Sequence, residues 1–419
     1  MPGRIRIYDC RSEGNRIDYE LDVSANIRKY FFTRKPWVKY DVEIQNIPSI
    51  NIIPILSSVL PLAWLTGSDI EVDTIDSNYL EGVTNIQKDF KYMYPNGRFE
   101  TTIHYNSAEI NSSSVNELSY ALNFSGGLDS TYTLIENLSL NPRLIMLFGA
   151  DMDSDNNDEI NEVKIRYSKF ASRHGLKINF IETNARESLD EDRITHDFYN
   201  VLGAHFWGQL QIGMFHIGMV APLSMNRFNR LLFASSVGSY DTLKEQSLTP
   251  LGAFPVVDEK IKWADLEVIE HGSISRHMKI PAIVKYLETN QLYLKVCLYH
   301  NSDNCCKCRK CLRTIFSLLL SGVDPNKCGF TVDNDTFNHT RQMMEKKALS
   351  EDIEHFWEEM KNDIPEDPPE IVQGYNDFCN WLNTFDLEKA KKKDKSLKQK
   401  IYYTLPYVLA RPIYKILAS

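Results

Sequence analysis

Nowhere in its 419 residues does this chain carry an unbroken apolar run of membrane-spanning length. The most apolar early stretch, Ile47 to Leu65, is interrupted by Pro48, Pro54 and Pro61 and holds Asn51 and Ser57, so it reads as buried helical turns. An excess of positive charge is also missing. The net charge is −9 and the isoelectric point about 5.7, which argues against a broad nucleic-acid surface, although a local basic patch for a tRNA is still allowed. The chain opens on Met1-Pro-Gly-Arg-Ile-Arg and runs into polar residues with no apolar signal core, so a cytoplasmic protein is expected. Evenly spread cysteines are lacking as well. Four of the eight fall between Cys305 and Cys311, a clustering that favours a metal site over disulfides in such a chain. What remains is an ordinary globular composition, 43% hydrophobic and 25% charged, long enough for roughly two or three domains.

The most informative stretch is Leu122-Asn-Phe-Ser-Gly-Gly-Leu-Asp-Ser-Thr131. The apolar run Tyr120 to Phe124 predicts a short buried strand, and Thr131 to Leu138 predicts a helix. Between them, Gly126 and Gly127 let the backbone approach a ligand and turn successive N–H groups into one concavity. The helix dipole adds to this, so the turn suits a phosphate. Ser125 and Ser130 offer hydroxyls, and Asp129 is placed to hold Mg²⁺ or to cap the helix. No Gly-Lys-Ser/Thr follows, which excludes the Walker type of loop. A plain Gly-Gly turn with an Asp cap is the simpler alternative.

In chain order, residues 1–115 read as an N-terminal α+β region, with strands at Ile5–Tyr8, Ile17–Leu21, Val38–Ile44 and Phe99–Tyr105 and a helix around Leu80 to Tyr94. The polar run Asn106 to Asn116 marks a boundary. Residues 116–330 then form the central domain. Strands at Leu144–Phe148, Lys177–Glu182 and Arg230–Ser235 alternate with helices at Asp158–His174 and, as one long helix, Asp197–Met219. This alternation predicts α/β architecture with a doubly wound parallel sheet, and ligands at the carboxyl ends of its strands. The segments expected there are Ser125–Ser130, Gly149-Ala-Asp151-Met-Asp153, Thr183–Arg186 and Ser235-Ser236-Val-Gly238-Ser239. Asp151 and Asp153 suit Mg²⁺ on a nucleotide or, equally, a solvated acidic loop; Arg186 suits a phosphate or carboxylate, or plain surface. His271, Arg276 and Lys279 form a candidate site for an anionic substrate, against the alternative of a solvated helix face.

Cys305, Cys308 and Cys311 are spaced two residues apart, with Cys297 a short loop earlier, a set that fits a closed tetrahedral Zn²⁺ site. The most economical assignment leaves Cys306 free. Residues 331–388 read as a helical, acidic region, and 389–419 as a basic tail with Asp394 as its one acid. The tail carries Ile401, Leu405, Leu409 and Ile413 and suits an anionic membrane surface or acidic partner, although Pro406 and Pro412 interrupt a clean amphipathic helix.

Ser125-Gly-Gly-Leu-Asp-Ser130 resembles the pyrophosphate loop of the PP-loop ATP pyrophosphatases. Over roughly residues 45–325 the order of segments is similar to that of the ATP-dependent UDP-N-acetylmuramoyl-L-alanyl-L-glutamate epimerase family. The matching pieces are Phe148–Asp151, Glu182–Glu187, the His271-Gly-x-x-Ser-Arg-x-x-Lys279 segment, and Asn304-Cys-Cys-Lys-Cys-Arg-Lys-Cys-Leu-Arg313. Cys306 stands where that family has Gly, and the basic tail has no counterpart in it. A more distant likeness is to 7-cyano-7-deazaguanine synthase, which pairs such a loop with four cysteines. The resemblance implies a PP-loop fold, ATP, Mg²⁺ and Zn²⁺ as cofactors, and AMP-forming adenylation of a carboxylate on a small acidic, nucleotide-linked envelope precursor. It implies ATP contacts from Ser125, Gly126, Gly127, Leu128, Asp129, Ser130, Asp151, Ser235 and Ser236, and catalytic roles for Asp129, Ser130, His271, Arg276 and Lys279. An amide- or nitrile-forming ligase and a non-catalytic nucleotide-binding adaptor are the alternatives. Further candidate contacts are a homodimer partner and, through the tail, the inner face of a membrane.

Overall fold

The computed structural model describes residues 2–115, 117–151, 156–235, 252–274, 276–297, 300, 302–346, 351–389 and 402–411. Asp153, Ser236, Gly238 and Ser239 lie outside the described residues, as does most of the tail. The chain divides into two compact units. The first comprises Met1–Ser125 and Glu136–Ile274, and the second Gly126–Ile135 and Ser275–Ser419.

The first unit is mixed α/β. Its strands are β1 (Arg4–Glu13), β2 (Arg16–Val23), β3 (Trp37–Tyr40), β4 (Asp69–Asp76), β5 (Ile103–Glu109), β6 (Tyr120–Asn123), β7 (Arg143–Phe148), β8 (Ile178–Thr183), β9 (Arg230–Ala234) and β10 (Glu267–His271). Among the described residues they form one ten-stranded, mostly parallel sheet in the order β10-β9-β6-β7-β8-β3-β2-β1-β4-β5. The sheet is not parallel throughout: β1–β2, β2–β3 and β3–β8 pair antiparallel. The residue-116 boundary is therefore no seam in the sheet. Val38 pairs with Thr183 and Tyr40 with Ile181, and the side chain of Asn184 accepts from the Trp37 N–H (2.7 Å) and donates to the Lys35 carbonyl (3.0 Å). Without this pairing β3 and β8 would each present unpaired ladder groups, which is the physical reason for the join.

The proline-punctuated block forms the buried helix Ile53–Thr66, in which every residue from Ile53 to Leu65 is buried. Its first proline, Pro54, sits in the first turn, where no intrahelical N–H is needed. A Cβ on Gly218 would lie 2.0 Å from the Ser57 hydroxyl, so that glycine leaves room for the Ser57 side chain between their two helices. Among the described residues no helix is long and apolar enough to cross a membrane.

The expected long helix over Asp197–Met219 is instead several pieces: Glu191–Asp197, Tyr199–Leu202, a π-helical turn Trp207–Gln211, and Ile212–Gly218. Gly203, at φ +72°, ends the second piece in the left-handed region. The widened π turn leaves the Gly208 carbonyl to accept from the Gly252 N–H at 2.8 Å. Periodicity alone does not report such breaks.

Asp258 is fully buried in this unit, and its carboxyl is held well above the ordinary carboxylate range by burial and by the charge of Glu270. Folding thus favours its protonated form, whereas the unfolded chain ionises it near the ordinary value. The associated stability is complete below the unfolded pKa and falls as pH rises towards the folded one. Asp258→Asn, which keeps an acceptor for the Phe254 N–H, is expected to flatten the decline in melting temperature as pH rises above the ordinary carboxylate range of about 4. An unchanged slope would show that Asp258 ionises freely in the fold.

The second unit is helical. Its described helices include Leu128–Glu136, Arg276–Leu287, Arg309–Leu320, Asn334–Glu345, Glu351–Asp363 and Tyr375–Thr384. The last three pack on the helix that follows the cysteines: the Phe316 ring lies 4.7 Å from Phe378, 5.0 Å from Trp357 and 5.9 Å from Phe337, centroid to centroid. The helical 331–388 region is thus continuous in packing with Arg309–Leu320. Of the tail's described part, Val408 and Leu409 are exposed while Tyr407 and Ala410 are buried.

Candidate functional site

Five parallel strands, β10-β9-β6-β7-β8, form one side of the first unit's sheet. The chain runs outward from β6 through β7 to β8, then returns to the other side of β6 for β9 and β10. The strand order thus reverses between β6 and β9, and in such sheets ligands usually sit at the carboxyl ends of the strands flanking that reversal. Ser125 follows β6 there, and Ser235 follows β9, buried, with its N–H donating to the His271 carbonyl at 3.0 Å. His271 ends β10, a strand missed in the sequence because Val268-Ile-Glu-His blends into a turn. The end of β6 is tied by the Asn123 amide to the His216 carbonyl (3.1 Å), and the His216 ring lies 5.8 Å from Trp207.

Gly149, at φ +91°, lets the end of β7 close on β8; a Cβ there would fall 1.7 Å from the Thr183 carbonyl oxygen. This turn presents Asp151, half of whose side chain is exposed, with one carboxylate oxygen accepting from the Trp207 indole N–H at 3.2 Å. Arg186 is engaged within the first unit. Its guanidinium donates from Nε (2.6 Å) and Nη2 (2.8 Å) to both oxygens of Glu191, donates from Nη1 to the Ala150 carbonyl, and lies 3.8 Å from the Trp207 ring centroid. A fork so occupied braces the Asp151 turn. Glu191 and Trp207 gave no sign of this in the sequence, because they lie in separate pieces, Glu191–Asp197 and Trp207–Gln211, where one helix from Asp197 to Met219 is expected.

In the second unit the helix begins at Leu128, three residues before the expected start, so Asp129 and Ser130 belong to its first turn. Gly126 is left-handed at φ +72°, and the Gly127 carbonyl accepts from the Thr131 N–H (3.0 Å) and the Ser130 hydroxyl (3.2 Å). From the first turn of the helix the Asp129 carboxylate pairs with Lys279 at 2.7 Å, and Lys279 is wholly buried, which rules out the solvated-face alternative for this lysine. An ammonium removed from water needs such a partner. Arg276 starts the helix carrying Lys279, and its side chain lies outside the described residues. Of the four expected substrate-binding cations, Arg186 and His271 belong to the first unit and Arg276 and Lys279 to the second.

The second unit also gathers Cys297, Cys305, Cys308 and Cys311, whose sulfur atoms all lie within 4.8 Å of one another. The Cys305 and Cys311 sulfurs are 3.9 Å apart, close to the roughly 3.8 Å edge of a tetrahedral zinc–thiolate site. The Cys308 N–H donates to the Cys305 sulfur at 3.2 Å, and Cys308 caps the helix that carries Cys311. Two of these thiols resist ionisation in the company of the others. Cys311 is pushed far up by its hydrogen bond with Cys308, then by burial and the neighbouring sulfurs, and Cys305 is raised chiefly by burial. A dication relieves that repulsion, and four sulfur donors suit a metal ion such as zinc. Cys306 stands apart from the cluster. It sits at φ +55°, where the resembled family has Gly, and its sulfur accepts from the Thr331 N–H at 3.2 Å.

Two residues here were not foreseen. The Asn304 side chain accepts from the N–H groups of Val296 (3.0 Å) and Cys297 (3.1 Å) and donates to the carbonyls of Leu294 (2.6 Å) and Gly329 (2.8 Å). Lys295, 8% exposed, donates its backbone N–H to the Gly126 carbonyl at 2.8 Å. A lysine inside the apolar run Leu292 to Val296 was the available signal for the latter. Compared with protein-family models, with curated proteins and with solved structures, the chain gives no match.

Proposed function

We propose that the chain is an AMP-forming, ATP-using enzyme of the PP-loop type that adenylates a carboxylate of a small acidic substrate. The observation that carries this reading is the Gly126–Ser130 turn. A left-handed glycine leads into a helix N-terminus, and a wholly buried lysine is bonded to the carboxylate in its first turn. Helix-start N–H groups and a fixed ammonium together suit a pyrophosphate leaving group. The specific substrate, a UDP-linked muramoyl dipeptide whose glutamate is epimerised, rests on the resemblance described above.

In this reading a carboxylate oxygen attacks the α phosphorus, the bond between the α and β phosphates breaks, and pyrophosphate leaves. The carbonyl of the acyl adenylate is electron-poor, so its α proton is lost far more readily than that of a carboxylate. Return of a proton to the opposite face inverts the carbon, and water cleaves the mixed anhydride to release AMP. His271 is the proposed base. Asp151, half-exposed beside the strand ends, suits Mg²⁺ carried in on the phosphates, where the ion would offset charge on the leaving group. The four cysteines suit a structural Zn²⁺.

Incubation with ATP and UDP-N-acetylmuramoyl-L-alanyl-L-glutamate in deuterated water is expected to give AMP, pyrophosphate and deuterium at the glutamate α carbon. Formation of ADP and phosphate would sink the loop assignment. Ammonia-dependent turnover of another acid, without deuterium uptake, would favour the amide- or nitrile-forming alternative.

A further inference from the structure

The phosphate turn and the cysteine cluster are joined by a short series of bonds within the second unit. Residues 294–297 run between them. The Leu294 N–H donates to the Cys328 carbonyl (2.9 Å), the Lys295 N–H to the Gly126 carbonyl (2.8 Å), and Cys297 supplies a sulfur to the cluster. Asn304, next to Cys305, holds this segment along its length through three of the bonds given above, its fourth anchoring it to Gly329, and the Lys295 ammonium folds back onto the Cys297 carbonyl at 3.0 Å. The Gly126 carbonyl and the Gly127 N–H belong to one planar trans peptide, so they point in opposite directions. Fixing that oxygen on Lys295 therefore fixes the direction of the next N–H, one of those a phosphate would meet. Gly126, with no Cβ, does not hold this peptide orientation by itself.

We propose that the metal centre sets the conformation of the phosphate turn through the 294–297 segment, with Asn304 as the positioning residue that couples them. This inference rests on the reading of the turn as a pyrophosphate site. Metal occupancy then governs anion affinity as well as fold, and a residue that touches neither metal nor phosphate tunes binding at the turn.

The test is calorimetric titration of the full-length protein with inorganic pyrophosphate, zinc content being measured before and after. Asn304→Ala, still holding one zinc per chain, is expected to bind about tenfold more weakly than the parent, the size of effect from losing a buried hydrogen-bond anchor. Asn304→Asp keeps acceptors for the Val296 and Cys297 N–H groups and is expected to recover part of the affinity; it also serves if the alanine variant does not fold. Equal affinity in a zinc-loaded Asn304 variant and the parent overturns the coupling while leaving the pyrophosphate reading intact. Absence of pyrophosphate binding by the zinc-loaded parent overturns that reading, and this inference with it.

Discussion

Asp129→Ala is expected to abolish pyrophosphate release and to destabilise the second unit by about 3–5 kcal/mol. The reason is the state of Lys279. Its ammonium is wholly buried and bonded to the Asp129 carboxylate at 2.7 Å, so removing the carboxylate strands a charge away from water. The complementary change is expected to be milder. Lys279→Met leaves a carboxylate that keeps 18% of its side-chain surface and so retains access to solvent. The double variant Asp129→Ala/Lys279→Met, with no charge left to strand, is expected to regain part of the stability lost by Asp129→Ala. Chemical denaturation of the four proteins measures the coupling, which should exceed about 1 kcal/mol. Additive effects would mean that the ion pair does not form in solution. AMP formation is expected to fail in all three variants, because the turn loses either its carboxylate or its fixed cation.

Cys311→Ser is expected to remove the metal and much of the cooperative unfolding of the second unit. Cys311 is fully buried on the Arg309–Leu320 helix, and that helix carries Phe316, the ring about which Phe337, Trp357 and Phe378 pack. Binding of structural zinc contributes on the order of 10 kcal/mol to folding in small metal domains, so loss of one thiolate reaches well beyond the knuckle. Cys306→Ser is expected to keep one metal per chain and a near-parental melting transition. Cys306→Gly should also be tolerated, since φ +55° is a conformation that glycine adopts without strain. Elemental analysis alongside thermal unfolding decides the matter. A Cys306 variant that loses metal, or a Cys311 variant that keeps it, would refute the ligand set.

Short-range spacing was enough for some features and useless for others. The strand before Ser125, the helix Asn157–Arg173 and strands β7, β8 and β9 all lie within a residue or two of where apolar periodicity puts them. Thiolate spacing likewise singled out Cys297, Cys305, Cys308 and Cys311, because three of the four lie within one loop and helix start. By contrast, β4 went unnoticed in Asp69–Asp76, where acidic residues alternate with Ile70 and Val72, and β10 was hidden against a turn. The breaks between Glu191 and Gly218 come from contacts such as Gly252 with Gly208, which no window of the sequence contains.

By itself, then, the sequence determined a strand–turn–helix element with two glycines, an α/β alternation around it, and a thiol set fit for a metal. These are local properties, set by dihedral preference, side-chain period and ligand spacing over a few residues. Only the tertiary structure decided that the N-terminal strands extend the central sheet, that Arg186 serves Glu191, that Lys279 is buried against Asp129, and that Lys295 holds Gly126. Each of these joins groups far apart in the chain: 150 positions separate Lys279 from Asp129, and 147 separate Trp37 from Asn184. Which polar group answers a buried charge or an open strand edge depends on what folding brings beside it, and that is a property of the packed chain, not of any stretch of it.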